Sequence, residues 1–176
     1  MKISLAEVMN LKDTAKEADI PIEADVFEYD GVEYPFISKE PVHLRISRLS
    51  PKSLRFLART KCALKAECSR CLEEVELPFD IDVEYELIQD ENGRACTSDD
   101  DEKLSYVADN ELDIEGFIRE ELMIGFPLKV LCSEDCRGIC PVCGRNLNLG
   151  ECGCDRTVLD PRMSIIKDLF LNDKEV

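Results

Sequence analysis

Residues 54–87 read LRFLARTKCALKAECSRCLEEVELPFDIDVEYEL, and their alternation decides the fold. From Leu54 to Cys68 the even positions are apolar or small: Leu54, Phe56, Ala58, Thr60, Cys62, Leu64, Ala66 and Cys68. From Val75 to Leu87 the odd positions take over, with Val75, Leu77, Phe79, Ile81, Val83, Tyr85 and Leu87. The residues between them are mostly charged. A period of two puts each apolar set on one face of an extended strand. The stretch therefore predicts two long antiparallel strands joined at SRCLEE, with one face wet. VHLRISRL at 42–49 predicts another strand, and Asp30-Gly31 within YDGVEY a tight hairpin turn.

Beyond this hairpin the pattern changes. QDENGRACTSDDDEK at 89–103 is acidic and aperiodic, which predicts a loop. Ile114, Phe117, Ile118 and Leu122 then recur at helical spacing, predicting a helix over 113–125 with Asp113 as cap and Pro127 as stop. DPRMSIIKDLFL repeats that logic over 160–171, with Asp160 as cap and Pro161 in the first helical position. The expected fold class is α+β: an antiparallel β-sheet or partly open barrel body, one or two packed helices, and a C-terminal cysteine-rich zinc lobe. Residues 1–130 make the body; residues 131–176 hold the lobe (131–156) and the terminal helix.

No apolar run approaches the roughly 18 residues of a membrane-crossing helix. MKISLAEVMN has no apolar segment of the secretory kind. The expected location is cytoplasmic, where closely paired cysteines hold metal or do redox work rather than form structural disulfides. Residues 131–154 read LCSEDCRGICPVCGRNLNLGECGC and contain six of the chain's ten cysteines. Cys62 lies on the apolar parity of its strand and reads as a small buried hydrophobe. Cys96 has no close partner in sequence. The other eight fall in four pairs: Cys68/Cys71, Cys132/Cys136, Cys140/Cys143 and Cys152/Cys154.

Eight thiolates supply two tetrahedral four-sulfur zinc sites, or one site with the surplus thiols free. Keeping each pair intact leaves three partitions. The short loop between them favours Cys140, Cys143, Cys152 and Cys154 as one site, since it closes cheaply. Cys68, Cys71, Cys132 and Cys136 then form the other, clamping the tail to the hairpin tip. In the rival partition CSRC and CPVCG face each other. Gly144, just after CPVC, permits a tight turn, and CSRC is the same kind of knuckle. The 131–156 segment has few large apolar residues, so metal replaces a core. Structural zinc supplies roughly 10–16 kcal/mol in such small units.

Catalysis is poorly supported. The lone histidine, His43, sits on a predicted strand far in sequence from the cysteines, and no phosphate loop or nucleophile elbow is present. The expectation is a protein that is not an enzyme and has no small-molecule substrate. Charge is segregated: residues 45–70 carry eight Lys or Arg and one acid, Glu67, or +7. That leaves −23 on the rest of a chain whose net charge is −16. One reading pairs Arg55, Arg59, Lys61 and Lys65 with the acids of 76–86 across the hairpin. The other is a nucleic-acid-facing stripe of Arg45, Arg48, Lys52 and Arg55, without interleaved aromatic residues for stacking on bases.

CSRCLEEVELPF after a basic strand, the 131–154 block, DPRMSIIKDL and the opening MKISLAEV together resemble the bacterial YceD family, also called large ribosomal RNA subunit accumulation protein. The resemblance implies a non-enzymatic role in large-subunit rRNA accumulation, processing or assembly, with rRNA or a pre-ribosomal particle as partner. The acidic remainder suits a basic ribosomal protein as a further partner; no membrane partner is expected. Two other classes stay open: a thiol redox protein using a C-x-x-C pair, and a zinc-ribbon adaptor that binds only protein.

Overall fold

The computed structural model describes residues 2–5, 15–50, 53–89, 95–97, 106–108 and 111–156. Ten strands run in chain order: β1 (Lys2–Ser4), β2 (Lys16–Ile20), β3 (Val26–Tyr29), β4 (Val32–Lys39), β5 (Val42–Ser50), β6 (Ser53–Glu67), β7 (Glu74–Gln89), β8 (Ala95–Thr97), β9 (Val107–Ala108) and β10 (Glu111–Asp113). One helix, α1 (Ile114–Gly125), and a single 3-10 turn at Leu147–Leu149 complete the described residues.

The predicted hairpin is the spine of the fold. β6 and β7 pair antiparallel along their length, Leu54 opposite Leu87, Phe56 opposite Tyr85, Cys62 opposite Phe79 and Leu64 opposite Leu77. Every even residue from Leu54 to Cys68 is buried. Period two thus converts directly into one covered face. On its other edge β6 pairs with β5 along its first half and with β4 further on. β2 extends β5, β3 extends β4, and β8 caps the end of β7. The result is a curled, open, antiparallel half-barrel. β1, β10 and β9 form a separate three-stranded sheet. Asp30 and Gly31 both have positive φ, 52° and 74°, as the predicted β3–β4 turn requires.

Helix α1 covers the buried face of the half-barrel. Phe117 meets Phe56 edge-to-face at 5.3 Å, and Phe126, just past the helix, sits 4.7 Å from Tyr29 and 4.9 Å from Tyr34. The helix begins one residue later than expected. Asp113 occupies the cap position, but its side chain makes no cap bond because it ends β10, where its N–H donates to the Tyr106 carbonyl. A second correction concerns the acidic stretch 89–103. Gln89 ends β7 and Ala95–Thr97 forms β8, because these three uncharged residues satisfy backbone groups at the end of β7. The rest of that stretch, Lys52 and the predicted helix at 160–171 lie outside the described residues. No described helix is long and apolar enough to cross a membrane.

Candidate metal centres

Two chain segments with the same backbone geometry hold the first two cysteines of each candidate centre. In CSRCL the amide of Leu72 donates to the Cys68 carbonyl at 2.9 Å; in CPVCG the amide of Gly144 donates to the Cys140 carbonyl at 2.8 Å. The Cys68 amide donates to the Glu73 carbonyl, and the Cys140 amide to the Arg145 carbonyl, five residues on in each case. The residue after the second cysteine is left-handed in both, Leu72 at φ 62° and Gly144 at φ 73°. The turn bends backbone N–H groups toward the first sulfur. Burial works to raise the Cys68 thiol, yet the amides of Arg70, Cys71 and Cys132 outweigh it and hold it down at about 6. The amides of Cys143 and Val142 likewise hold Cys140 down at about 6. Each knuckle thus favours one thiolate.

The remaining sulfurs arrive from the tail. Cys68, Cys71, Cys132 and Cys136 bring their Sγ atoms within 4.8 Å of one another, and so do Cys140, Cys143, Cys152 and Cys154. Cys68 Sγ lies 3.7 Å from Cys136 Sγ, and Cys71 Sγ lies 3.5 Å from Cys132 Sγ. A tetrahedral ion at ~2.3 Å from each sulfur needs sulfurs about 3.8 Å apart, whereas a disulfide needs about 2.05 Å. The observed spacing fits ligands of a shared ion. Cys154, whose proton is shared with Cys143 and Cys152, is pushed up to about 12. Four thiolates cannot coexist there without a cation between them. The donor set, soft and closed with no water-bearing oxygen or imidazole ligand, fits zinc held structurally. The pairing is the one favoured from loop length.

Contacts outside the sulfurs tie the two centres together. Asn148 belongs to the loop of the second centre, yet its Nδ2 donates to Cys136 Sγ of the first at 3.3 Å. Its Oδ1 accepts from the Arg137 amide at 2.7 Å, which fixes the amide orientation. Arg70 reaches from the hairpin tip to donate to the Cys136 carbonyl at 2.8 Å, and its own carbonyl accepts from the Ile139 amide. Gly138 lies beside it with φ 71°; a Cβ there would stand 3.1 Å from the Arg70 carbonyl oxygen. Glu151 pairs with Arg137 and Arg156, which hold its carboxyl below the usual carboxylate range. Nothing in the sequence singled out Asn148. Arg70 lay inside CSRC but counted only as one charge among eight.

The basic strand faces carboxylates. Arg59 pairs with Asp82 at 2.8 Å and Lys61 with Asp80 at 3.2 Å, straight across the ladder. Arg55 reaches Glu84 at 2.9 Å and Lys65 reaches Glu74, each one step along the diagonal. Arg45 pairs with Glu17 of β2 at 3.4 Å, and Arg48 Nε donates to the Ser50 carbonyl. His43 pairs with Asp19 on the same exposed face. Cys62 is buried, and burial pushes its thiol up to about 11.

An open antiparallel half-barrel whose hairpin tip carries one of two four-cysteine clusters defines an α+β protein with two thiol-rich centres able to hold metal. The chain belongs to the YceD family, large ribosomal RNA subunit accumulation protein YceD, whose pattern matches residues 57–170. It is 25% identical, over 87% of its own length, to the Zea mays chloroplastic large ribosomal RNA subunit accumulation protein YCED homolog 1. It is 28% identical, over 61% of its length, to Bacillus subtilis YlbN, and 28% identical, over 59%, to Mycobacterium tuberculosis Rv2926c. The chain spans 60% of the maize protein, 61% of YlbN and 49% of Rv2926c. No solved structure matches it significantly.

Proposed function

We propose that this protein is a zinc-binding, non-enzymatic accessory factor for accumulation or assembly of the large ribosomal subunit, working by binding in the cytoplasm. The observation that carries the zinc half is the convergence of four cysteine sulfurs within 4.8 Å of one another, twice, once from two distant segments and once within a single short loop. The ribosomal half rests on family membership and on the name of the maize relative. The first centre serves to hold the tail against the hairpin tip and the second to fold the tail's own loop, and a closed all-sulfur ligand set leaves no open position for substrate at either.

Contact with rRNA through Arg45, Arg48, Lys52 and Arg55 is part of this proposal. The ion pairs set its terms: a phosphate meeting Arg45 or Arg55 displaces Glu17 or Glu84. Exposed pairs of this kind are worth only about 0–1 kcal/mol, so the exchange is accessible. Elemental analysis of the purified protein and its nuclease-sensitive co-sedimentation with large-subunit precursors test the two halves. Zinc bound at both centres and co-sedimentation lost on charge reversal of Arg45, Arg48 and Arg55 are expected. A metal-free protein that stays folded in strong chelator would overturn the zinc reading in favour of a redox dithiol. Co-sedimentation that survives nuclease treatment and the charge reversals would leave a protein-only adaptor.

A further inference from the structure

A groove of about 550 Å³ opens between the β3–β4 hairpin and helix α1, remote in sequence from the cysteines. That is within the roughly 300–1,000 Å³ typical of ligand-binding clefts. Its apolar wall includes Val26, Phe27, Phe36, Ile118 and Leu122. Four of its charged lining residues are acidic, Glu23, Glu28, Glu33 and Glu115, and one is basic, Arg119. Two of the acids are placed at a cost. Glu28 and Glu33 stand directly opposite each other across the β3–β4 ladder, where like charges repel. Among the described residues neither carboxylate has a cationic partner. By contrast, β7 has carboxylates at 74, 80, 82 and 84 that each face a Lys or Arg. Val26, on the same face as the glutamates, is 43% exposed.

We infer that this groove is the docking site for a basic, partly apolar peptide segment of a protein partner. Apolar side chains of the segment fill the cleft between Val26 and Leu122, and its Lys or Arg side chains neutralise Glu28 and Glu33. Charge complementarity excludes a polyanion, since phosphates would add to the repulsion already present. The inference deepens the binding role proposed above. It rests on that role only for which cellular protein supplies the segment.

The test is binding of a fluorescent synthetic peptide of alternating leucine and lysine to the full chain, by anisotropy at low and at physiological ionic strength. A peptide with glutamate in place of lysine is the negative control. Glu28→Gln combined with Glu33→Gln weakens lysine-peptide binding about tenfold or more. It also raises the melting temperature, because the cross-strand repulsion is gone. Opposite signs of the two effects exclude unfolding as the cause. Val26→Gln weakens binding without changing charge. Glu76→Gln combined with Glu86→Gln, an equal charge change on β7, leaves binding unaltered. If the β7 pair weakens binding as much as the groove pair, attraction is diffuse and the proposal fails. If peptide binding merely tracks self-association of the protein on dilution, the occupant is a second copy and the proposal fails. Zinc content and ribosomal co-sedimentation of the groove variants, read alongside, separate failure of the groove from failure of the ribosomal reading.

Discussion

Leu72 and Gly144 occupy the same place in two copies of one turn. Each follows a C-x-x-C pair, each donates its amide to the carbonyl of the first cysteine, and each has a left-handed backbone. A side chain in that region costs about 1–2 kcal/mol, which Gly144 avoids and Leu72 incurs. Leu72 is 60% exposed, so little packing compensates it within the chain.

Leu72→Gly therefore stabilises the protein. The relieved strain is offset by the larger backbone entropy of glycine, leaving a net gain of roughly 0.5–1 kcal/mol. Chemical denaturation with zinc present measures it, and a loss of stability would show that Leu72 has a packing role.

Gly144→Ala costs about 1 kcal/mol through φ alone, since no atom lies within 4 Å of the added Cβ. Gly138→Ala is the worse change, because strain is joined by a contact 3.1 Å from the Arg70 carbonyl. Comparing denaturation midpoints of the two variants checks the order.

Asn148→Ala weakens metal binding at the first centre, although the residue sits in the loop of the second. Losing an outer hydrogen bond to a ligand sulfur typically lowers affinity 10- to 100-fold. Competition with a chromogenic chelator measures this. Asn148→Asp is more damaging, since it loses the donor and sets a negative charge beside thiolates.

Acid releases the metal, and the two centres part company as it does. Ligand thiols must lose protons to bind, so affinity falls as pH falls. Three of the first centre's cysteines are buried and only Cys132 is exposed, whereas in the second only Cys140 is buried and Cys143, Cys152 and Cys154 are exposed or half-exposed. Chelator-monitored release is thus biphasic, the second centre emptying first. Simultaneous loss from both would mean that they are one cooperative unit.

The ion-pair ladder matters little to stability, and the aromatic layer beneath it matters a great deal. Arg59→Ala costs under about 1 kcal/mol. Phe56→Ala, at a fully buried side chain against Phe117, costs roughly 3–5 kcal/mol.

The spine of the fold was readable because period two survives translation into a ladder: a shift of one residue would have turned Phe56 and Phe79 outward. Cysteine pairing was readable because loop length constrains which thiols meet. Other features have no local signature. Glu17 meets Arg45 only because β2 pairs with β5, a fact of topology rather than of sequence spacing. Asn148 looks like any loop asparagine until Cys136 is brought to it. The left-handed Leu72 was hidden because leucine gives no hint of positive φ. The strand Ala95–Thr97 was masked by its acidic surroundings.

The first centre joins residues 61 and 68 positions apart, while the second gathers its cysteines from one short loop. During synthesis the local cluster can capture its ion as soon as the last of its cysteines is free. The distant one has no cavity to fill until the half-barrel has formed and delivered Cys68 and Cys71. An ion held at that site would therefore certify completed folding, and a nascent chain holding one at the second centre alone would be one whose hairpin has not yet been built.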